Sequence, residues 1–365
     1  MALAAVSLRN FRSHSRFDVQ LGPGLTVIAG PNGSGKTNIL EAIHFGLTGR
    51  SCRTSSDRQV IAHGERAARV EISIAGSHGT RVISAALDRA GNKELKLDGT
   101  VIERTDPGFD RPLVIVFLPD RLSLISGPPG GRRAHMDQFS SALRPAAAGL
   151  RNEYNRALVQ RNALIASAGH AGALGSSIDA WDSELARAGT RLAAAREEAV
   201  AVIAEPAARI AAELGLVGKL EVTHRPGCEL EPDAFVGKLV ADRPADLTRG
   251  YTHHGPHRGD LLIRRDGRDV KDHASQGEKR IALLAIILAE REAIAEAKGT
   301  APILLLDDVM SELDSKRREL LVRRVSAFGQ CLITATEFEH VPDVAESEMR
   351  KVSLAGDDDR GLRVA

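Results

Sequence analysis

Residues Gly30 to Thr37 read Gly-Pro-Asn-Gly-Ser-Gly-Lys-Thr, the spacing G-x-x-x-x-G-K-[ST]. Small residues at these positions let successive backbone N–H groups curl around phosphate oxygens at the start of a helix, whose dipole already favours negative charge. Gly30, Pro31, Asn32, Gly33, Ser34 and Gly35 then form a cradle, Lys36 reaches the β- and γ-phosphates of a nucleoside triphosphate, and Thr37 ligates Mg2+. Such a loop needs an acidic counterpart. Pro302-Ile-Leu-Leu-Leu-Asp307-Asp308 supplies it, as an apolar run of buried-strand character ending in two carboxylates. Asp307 is the expected Mg2+ ligand, directly or through water, and Asp308 is placed to orient or deprotonate an attacking water. ATP and Mg2+ are the cofactors that this pair of motifs implies.

Positioning these groups takes a strand, a loop and a helix in that order. Leu25–Ala29 is a short β-branched run, and Asn38–Phe45 has helical spacing. A second anion site is encoded at Ser275-Gln276-Gly277-Glu278, ahead of a helical stretch from Ile281 to Ala297. Ser275 with an acid three residues on is a capping box, and the free N–H groups at a capped helix start also bind anions. Between Asn10 and Leu118 short β-like runs alternate, at Arg69–Ile74, Arg81–Ala86, Lys93–Leu97 and, after an Asp98-Gly99 turn, Thr100–Glu103. They predict an antiparallel lobe beside the nucleotide. From Arg132 to Leu216 the text is rich in Ala, Arg and Glu with helical spacing at Arg151–Ala166 and Ile178–Ala212, broken by Gly169, Gly172, Gly175, Gly189 and Pro206. Those breaks exclude a sustained heptad coil and leave a short helical arm. Strand-like runs at Leu220–Thr223 and Leu261–Arg264, with an Asp266-Gly267 hairpin turn, lead back to the first domain. The expected organisation is a discontinuous head, 1–125 and 217–365, with an arm, 126–216, inserted.

Composition sets limits on what this machinery serves. Lys and Arg number 49 against 48 Asp and Glu, a net charge of +1, so any contact with nucleic acid rests on local patches. Cys52, Cys228 and Cys331 have no C-x-x-C spacing, and the longest apolar run, Ile281–Ala289, is nine residues, too short to span a bilayer. A reduced, cytoplasmic setting without membrane is expected. His253, His254 and His257 sit in a His-His-Gly-Pro-His turn that no carboxylate or cysteine completes into a tetrahedral site by spacing. No G-x-S-x-G elbow supports a hydrolase triad at Ser123 or Ser126.

Set between the phosphate loop and the acidic strand, the Ser275–Gly277 segment resembles the signature of ABC-type ATPases, and Ser311-Glu-Leu-Asp314 resembles their D-loop. The fold class expected is α/β, an ABC-type P-loop ATPase head with a mixed sheet core and an antiparallel lobe. Lys36 and Asp307 are too far apart for a compact transporter subunit and too close for the long coiled-coil chromosome proteins. More narrowly, Leu8-Arg-Asn-Phe-Arg12, the GPNGSGKTN loop, Gly127–Asp137, Gly255-Pro-His-Arg-Gly-Asp-Leu261 and Leu304–Asp314 are all similar to motifs of the RecF family, over essentially the full chain. The resemblance implies an ATP-dependent clamp that dimerises on DNA at single-strand/double-strand gap boundaries. RecR and RecO are the partners it implies, in recombinational repair and replication-fork recovery. Each ATP would lie between one subunit's phosphate loop and the other's Ser275, Gln276 and Gly277, and Arg12 would touch nucleotide. A transporter or ribosome-associated ATPase subunit is the alternative; the arm and the Gly-Pro-His-Arg stretch argue against it.

Asp308 stands where many ABC enzymes carry Glu, and a side chain shorter by one methylene holds the water less well, so slow ATP hydrolysis is expected, and the resemblance implies that it is DNA-dependent. With nine Phe, two Tyr and one Trp, the chain lacks a stacking platform for single strands, and backbone reading of a duplex is expected instead. Arg50, Arg53 and Arg58, with Arg132 and Arg133, are the candidate DNA contacts. After the strand Cys331–Thr334, Thr334 and Thr336 stand near the place where relatives carry a switch histidine; His340 comes later.

Overall fold

Buried, β-branched runs without polar alternation form parallel strands in this chain, and alternating ones form antiparallel strands. In the computed structural model, which describes residues 1–76, 79–102, 111–171, 177–342 and 349–354, five strands make one sheet. Their order is Arg350–Ser353, Leu25–Ala29, Cys331–Ala335, Ile303–Leu306, Val114–Phe117, and every pairing is parallel. The central three are buried at every residue. A separate six-stranded antiparallel sheet runs His14–Gln20, Ala2–Phe11, Ala67–Gly76, Gly79–Asp88, Lys93–Leu97, Thr100–Val101. The helix Lys36–Thr48 packs on it closely enough that a Cβ at Gly46 would lie 2.6 Å from Ile72 Cδ1. The Asp98-Gly99 turn is present, with φ of +48° and +84°.

Contacts divide the chain into two compact units, Met1–Arg121 with Lys298–Ala365, and Leu122–Ala297. Residues 217–297 therefore pack with the helices, where the sequence reading joined them to the head. The reason is local: strand Leu220–Arg225 lies on helix Ser177–Glu213 and pairs with Asp260–Arg265, which turns through Asp266 and Gly267 into Arg268–Asp269. The second unit's other long helices are Pro129–Leu143, Leu150–Ala171, Pro232–Arg249 and Gln276–Lys298.

Three of the expected breaks are absent. Helix Ser177–Glu213 runs for 37 residues straight through Gly189 and Pro206. Gly189 is a packing device, since a Cβ there would lie 2.7 Å from the Phe235 ring and 3.2 Å from that of Tyr154. Around Pro206 the buried Ile203, Ala207 and Ile210 offset the roughly 3 kcal/mol that an interior proline costs. Gly169 likewise lies within helix Leu150–Ala171. Glu103, Gly172 and Gly175 lie outside the described residues. No helix among the described residues is long and apolar enough to cross a membrane.

Candidate nucleotide-binding site

The loop after strand Leu25–Ala29 owes its shape to its glycines. Gly33 and Gly35 have φ of +86° and +88°, and at Gly30 a Cβ would lie 2.7 Å from Leu354 O. Gly30 N–H donates to Ala335 O at 3.3 Å, which ties the loop to the neighbouring strand. Lys36 Nζ donates to the carbonyls of Gly30 (2.7 Å) and Pro31 (2.9 Å), so the ammonium caps the loop. Burial lowers the pKa of Lys36, against the pull of Asp308 and Asp307. Ser34 Oγ is buried with no hydrogen-bond partner among the described residues. An unmatched hydroxyl in a cradle of left-handed glycines, beside an ammonium, fits a polyphosphate.

The two carboxylates arrive on the strand Ile303–Leu306, two strands from the loop. Thr37 Oγ1 lies 2.9 and 2.8 Å from the oxygens of Asp307, joining the motifs across 270 positions of sequence. Burial raises the pKa of Asp307, opposed by the hydroxyls of Thr334 and Thr37. One hydroxyl and one carboxylate are hard oxygen donors that leave other positions to phosphate and water, which suits Mg2+. Among the described residues no three His, Cys, Asp or Glu side chains gather to hold a metal by themselves. Asp308 has a left-handed backbone, φ +45°. Thr334, fully buried on the strand between loop and carboxylates, donates to Asp307 Oδ1 at 2.7 Å and accepts from Asp308 N–H at 2.9 Å. Thr336 Oγ1 meets His340 Nδ1 at 2.9 Å.

A second group of residues braces the loop from outside. Arg12, at φ +54°, gives Nε and Nη2 to Glu41 at 2.9 and 2.7 Å. Arg53 Nη1 adds 3.3 Å to the same carboxylate and 3.0 Å to Asn38 Oδ1, and Ser51 Oγ donates to Glu41 Oε1. Burial alone would raise the pKa of Glu41; the hydrogen bonds from Arg12 and Ser51 and the charges of Arg12 and Arg53 hold it low. Glu41 and His14, whose Nε2 lies 3.1 Å from Gly35 O, carry no motif and were missed in the sequence. Glu41's one legible signal is its place one turn past Thr37.

In the other unit the capping box is formed, with Ser275 N–H on Glu278 Oε2 at 2.8 Å and Glu278 N–H on Ser275 Oγ at 3.3 Å. Arg265 pairs with Glu278, while Ser275 and Gln276 are exposed at this helix start. Arg132 is a correction: it is 7% exposed and grips Asp260 at 2.7 and 2.8 Å, which leaves its charge no path to DNA. Arg50, Arg53 and Arg58 are exposed, Arg53 tied to Glu41 and Arg58 to Ala90 O. The three histidines go to separate partners: His253 to Asp246, His254 to Glu229, His257 to Tyr154 and Thr252 O.

A parallel sheet bearing this loop and these carboxylates, in a chain whose other unit carries a capped signature helix, defines an ABC-type ATPase of the kind found in SMC heads. The family described as RecF/RecN/SMC N terminal domain matches residues 2–355. The DNA replication and repair protein RecF of Streptomyces avermitilis is 34% identical over 97% of this chain and 98% of its own. That of Clavibacter sepedonicus is 35% identical over 94% and 91%. A solved structure of the recombination mediator protein RecF-ATP in the RecFOR pathway superposes with a TM-score of 0.80 at 27% identity, over 96% of this chain and 95% of that one. An Smc head bound to the C-winged helix domain of ScpA shares the fold, with a TM-score of 0.56 at 19% identity over 92% and 90%. The chain belongs to the RecF family.

Proposed function

We infer that this protein is an ATP-dependent DNA-binding clamp of recombinational repair and replication-fork recovery. The contact of Thr37 with Asp307, on a chain matched over 97% of its length by a RecF protein, carries the reading. Lys36 and the Gly30–Gly35 backbone hold the phosphates, and Thr37 and Asp307 hold Mg2+, which when bound neutralises phosphate charge. Asp308 orients a water and takes its proton as the water oxygen bonds to the γ-phosphorus and ADP leaves. The shorter carboxylate makes turnover slow; hundreds per second would contradict this. DNA stimulates it.

A partner copy's Ser275–Gly277 completes each site, which makes ATP binding and dimerisation one linked equilibrium. Functionally the head, 1–125 and 217–365, then includes the signature segment, and 126–216 is the arm. The clamp closes at gap boundaries, with RecR and RecO as partners that help load a recombinase. The test is ATP-dependent dimerisation with and without gapped DNA in wild type, Lys36→Ala and Ser275→Arg. Both variants should stay monomeric. A Ser275→Arg protein that dimerises on ATP as wild type does removes the shared site.

A further inference from the structure

The loop Gly255–Asp260 gathers arginines that the nucleotide chemistry does not use. Arg196 Nη1 donates to Pro256 O at 2.8 Å and Arg133 Nη1 to Gly259 O at 3.0 Å. Arg225, its side chain 59% exposed, comes only within 4.0 Å of Asp260. Arg258 is exposed, with its guanidinium carbon 5.5 Å from the ring centre of Tyr251, itself 44% exposed. Two carboxylates touch this group, and both are engaged: Asp260 by the buried Arg132, and Asp137 by Arg196 at 2.7 and 3.1 Å. Among the described residues neither Arg133 nor Arg258 has a carboxylate partner. Elsewhere on this unit's surface Arg187 pairs with Glu184, Arg191 with Glu153 and Arg209 with Glu213 and Glu292, while the scattered Arg156, Arg249, Arg264 and Arg268 are exposed.

Like charges crowded in excess of their counter-charge are costly in the free protein, and a polyanion relieves that cost. The crowding is felt locally. After burial, Arg196 and Arg258 lower the pKa of Arg133 against the pull of Asp260 and Asp137, and His257 is depressed to about 4, by burial first and then, against its hydrogen bond with Thr252, by the charges of Arg258 and Arg133. The guanidiniums of Arg133 and Arg258 are fixed on a carbonyl and a ring rather than free on long stems, so little ordering of these two remains when phosphate oxygens arrive. We propose that Arg133, Arg225 and Arg258, with Tyr251 beneath, are a contact site for the phosphate backbone of duplex DNA. The proposal rests on the DNA-binding reading above and adds the place; Arg133 was a candidate from sequence, whereas Arg225, Arg258 and Tyr251 were not.

The experiment measures duplex affinity of the full chain with ATP across a salt series, for wild type, Arg225→Glu, Arg258→Glu, Arg258→Ala and Arg16→Glu. Arg16, its side chain 74% exposed in the other unit, controls for net charge. Thermal unfolding confirms that each variant folds. Each glutamate variant in the site should weaken binding about tenfold on any sequence and lower the salt slope by about one, with Arg258→Ala affected less and Arg16→Glu unchanged. Wild-type affinity and slope in both glutamate variants overturn the site while leaving the DNA reading intact. A wild type that binds no duplex overturns both. Poly-glutamate binding that the variants lose, with duplex binding kept, assigns the patch to an acidic protein and also overturns it.

Discussion

Thr334 sets two groups at once: its hydroxyl holds the carboxylate of Asp307 and the backbone N–H of Asp308. A φ of +45° is costly for an aspartate, and that second hydrogen bond helps keep Asp308 in it. Thr334→Val preserves shape but leaves a buried N–H unpaired, a loss of about 1 to 3 kcal/mol. We expect kcat for ATP to fall about tenfold or more with binding of a fluorescent ATP analogue little changed, and Thr334→Ser to retain most activity. Equal kcat in the valine variant would remove this role. Glu41 makes a separate prediction. Its folded pKa lies below the ordinary 4.5, so its contribution to stability is complete above that value and is lost as pH falls through the lower folded pKa. Glu41→Gln should therefore destabilise by about 3 kcal/mol near neutrality and lose less stability than wild type as pH falls below 4.5. Thermal melting against pH decides, and parallel curves would refute the assignment.

At the scale of elements, three helices of the second unit are pinned by one side chain. Arg161, fully buried in Leu150–Ala171, reaches Asp182 in Ser177–Glu213 at 2.5 Å, Asp246 in Pro232–Arg249 at 2.6 Å, and Thr252 at 2.7 Å. Arg161→Met removes the cation that the two carboxylates share, leaving Asp182 to Arg243 and Asp246 to His253 alone, so this unit should lose about 3 kcal/mol of stability in urea unfolding. An unchanged midpoint would mean that Arg243 and His253 suffice to hold the two carboxylates. None of this was legible beforehand, because a buried ion network has no periodicity. The helix Pro232–Arg249 was unread for a related reason: Pro232, Gly237 and Pro244 resemble loop text, and the helix is held by Phe235 and Leu239 packing at long range. What was legible was local: the phosphate loop, the capping box, the Asp-Gly turns and the strand ending in Asp307. Arg132 and Arg133 mark the boundary of such reading. They are adjacent, yet successive helical residues point about 100° apart, and one is buried on Asp260 while the other meets Gly259 O at the surface of the same loop.

For the whole molecule, a clamp requires that closing and release be separable by mutation. In the proposed clamp Lys36 would serve the closing step, since without its ammonium the phosphates lose their main countercharge and a linked dimer would go with them. Asp308 would serve release. Asp308→Asn keeps the size of the side chain and its place after strand Ile303–Leu306, but an amide cannot take the proton of the attacking water. Binding of ATP should stay within a few-fold of wild type while hydrolysis falls about 100-fold or more. If hydrolysis opens the clamp, the lifetime of the ATP-bound dimer on gapped DNA must lengthen by the same factor, because the γ-phosphate that bridges the two copies is no longer removed. Light scattering gives the dimer and DNA dissociation gives the lifetime. Release as fast as wild type from a hydrolysis-dead Asp308→Asn protein would show that nucleotide exchange, and not cleavage, opens the dimer.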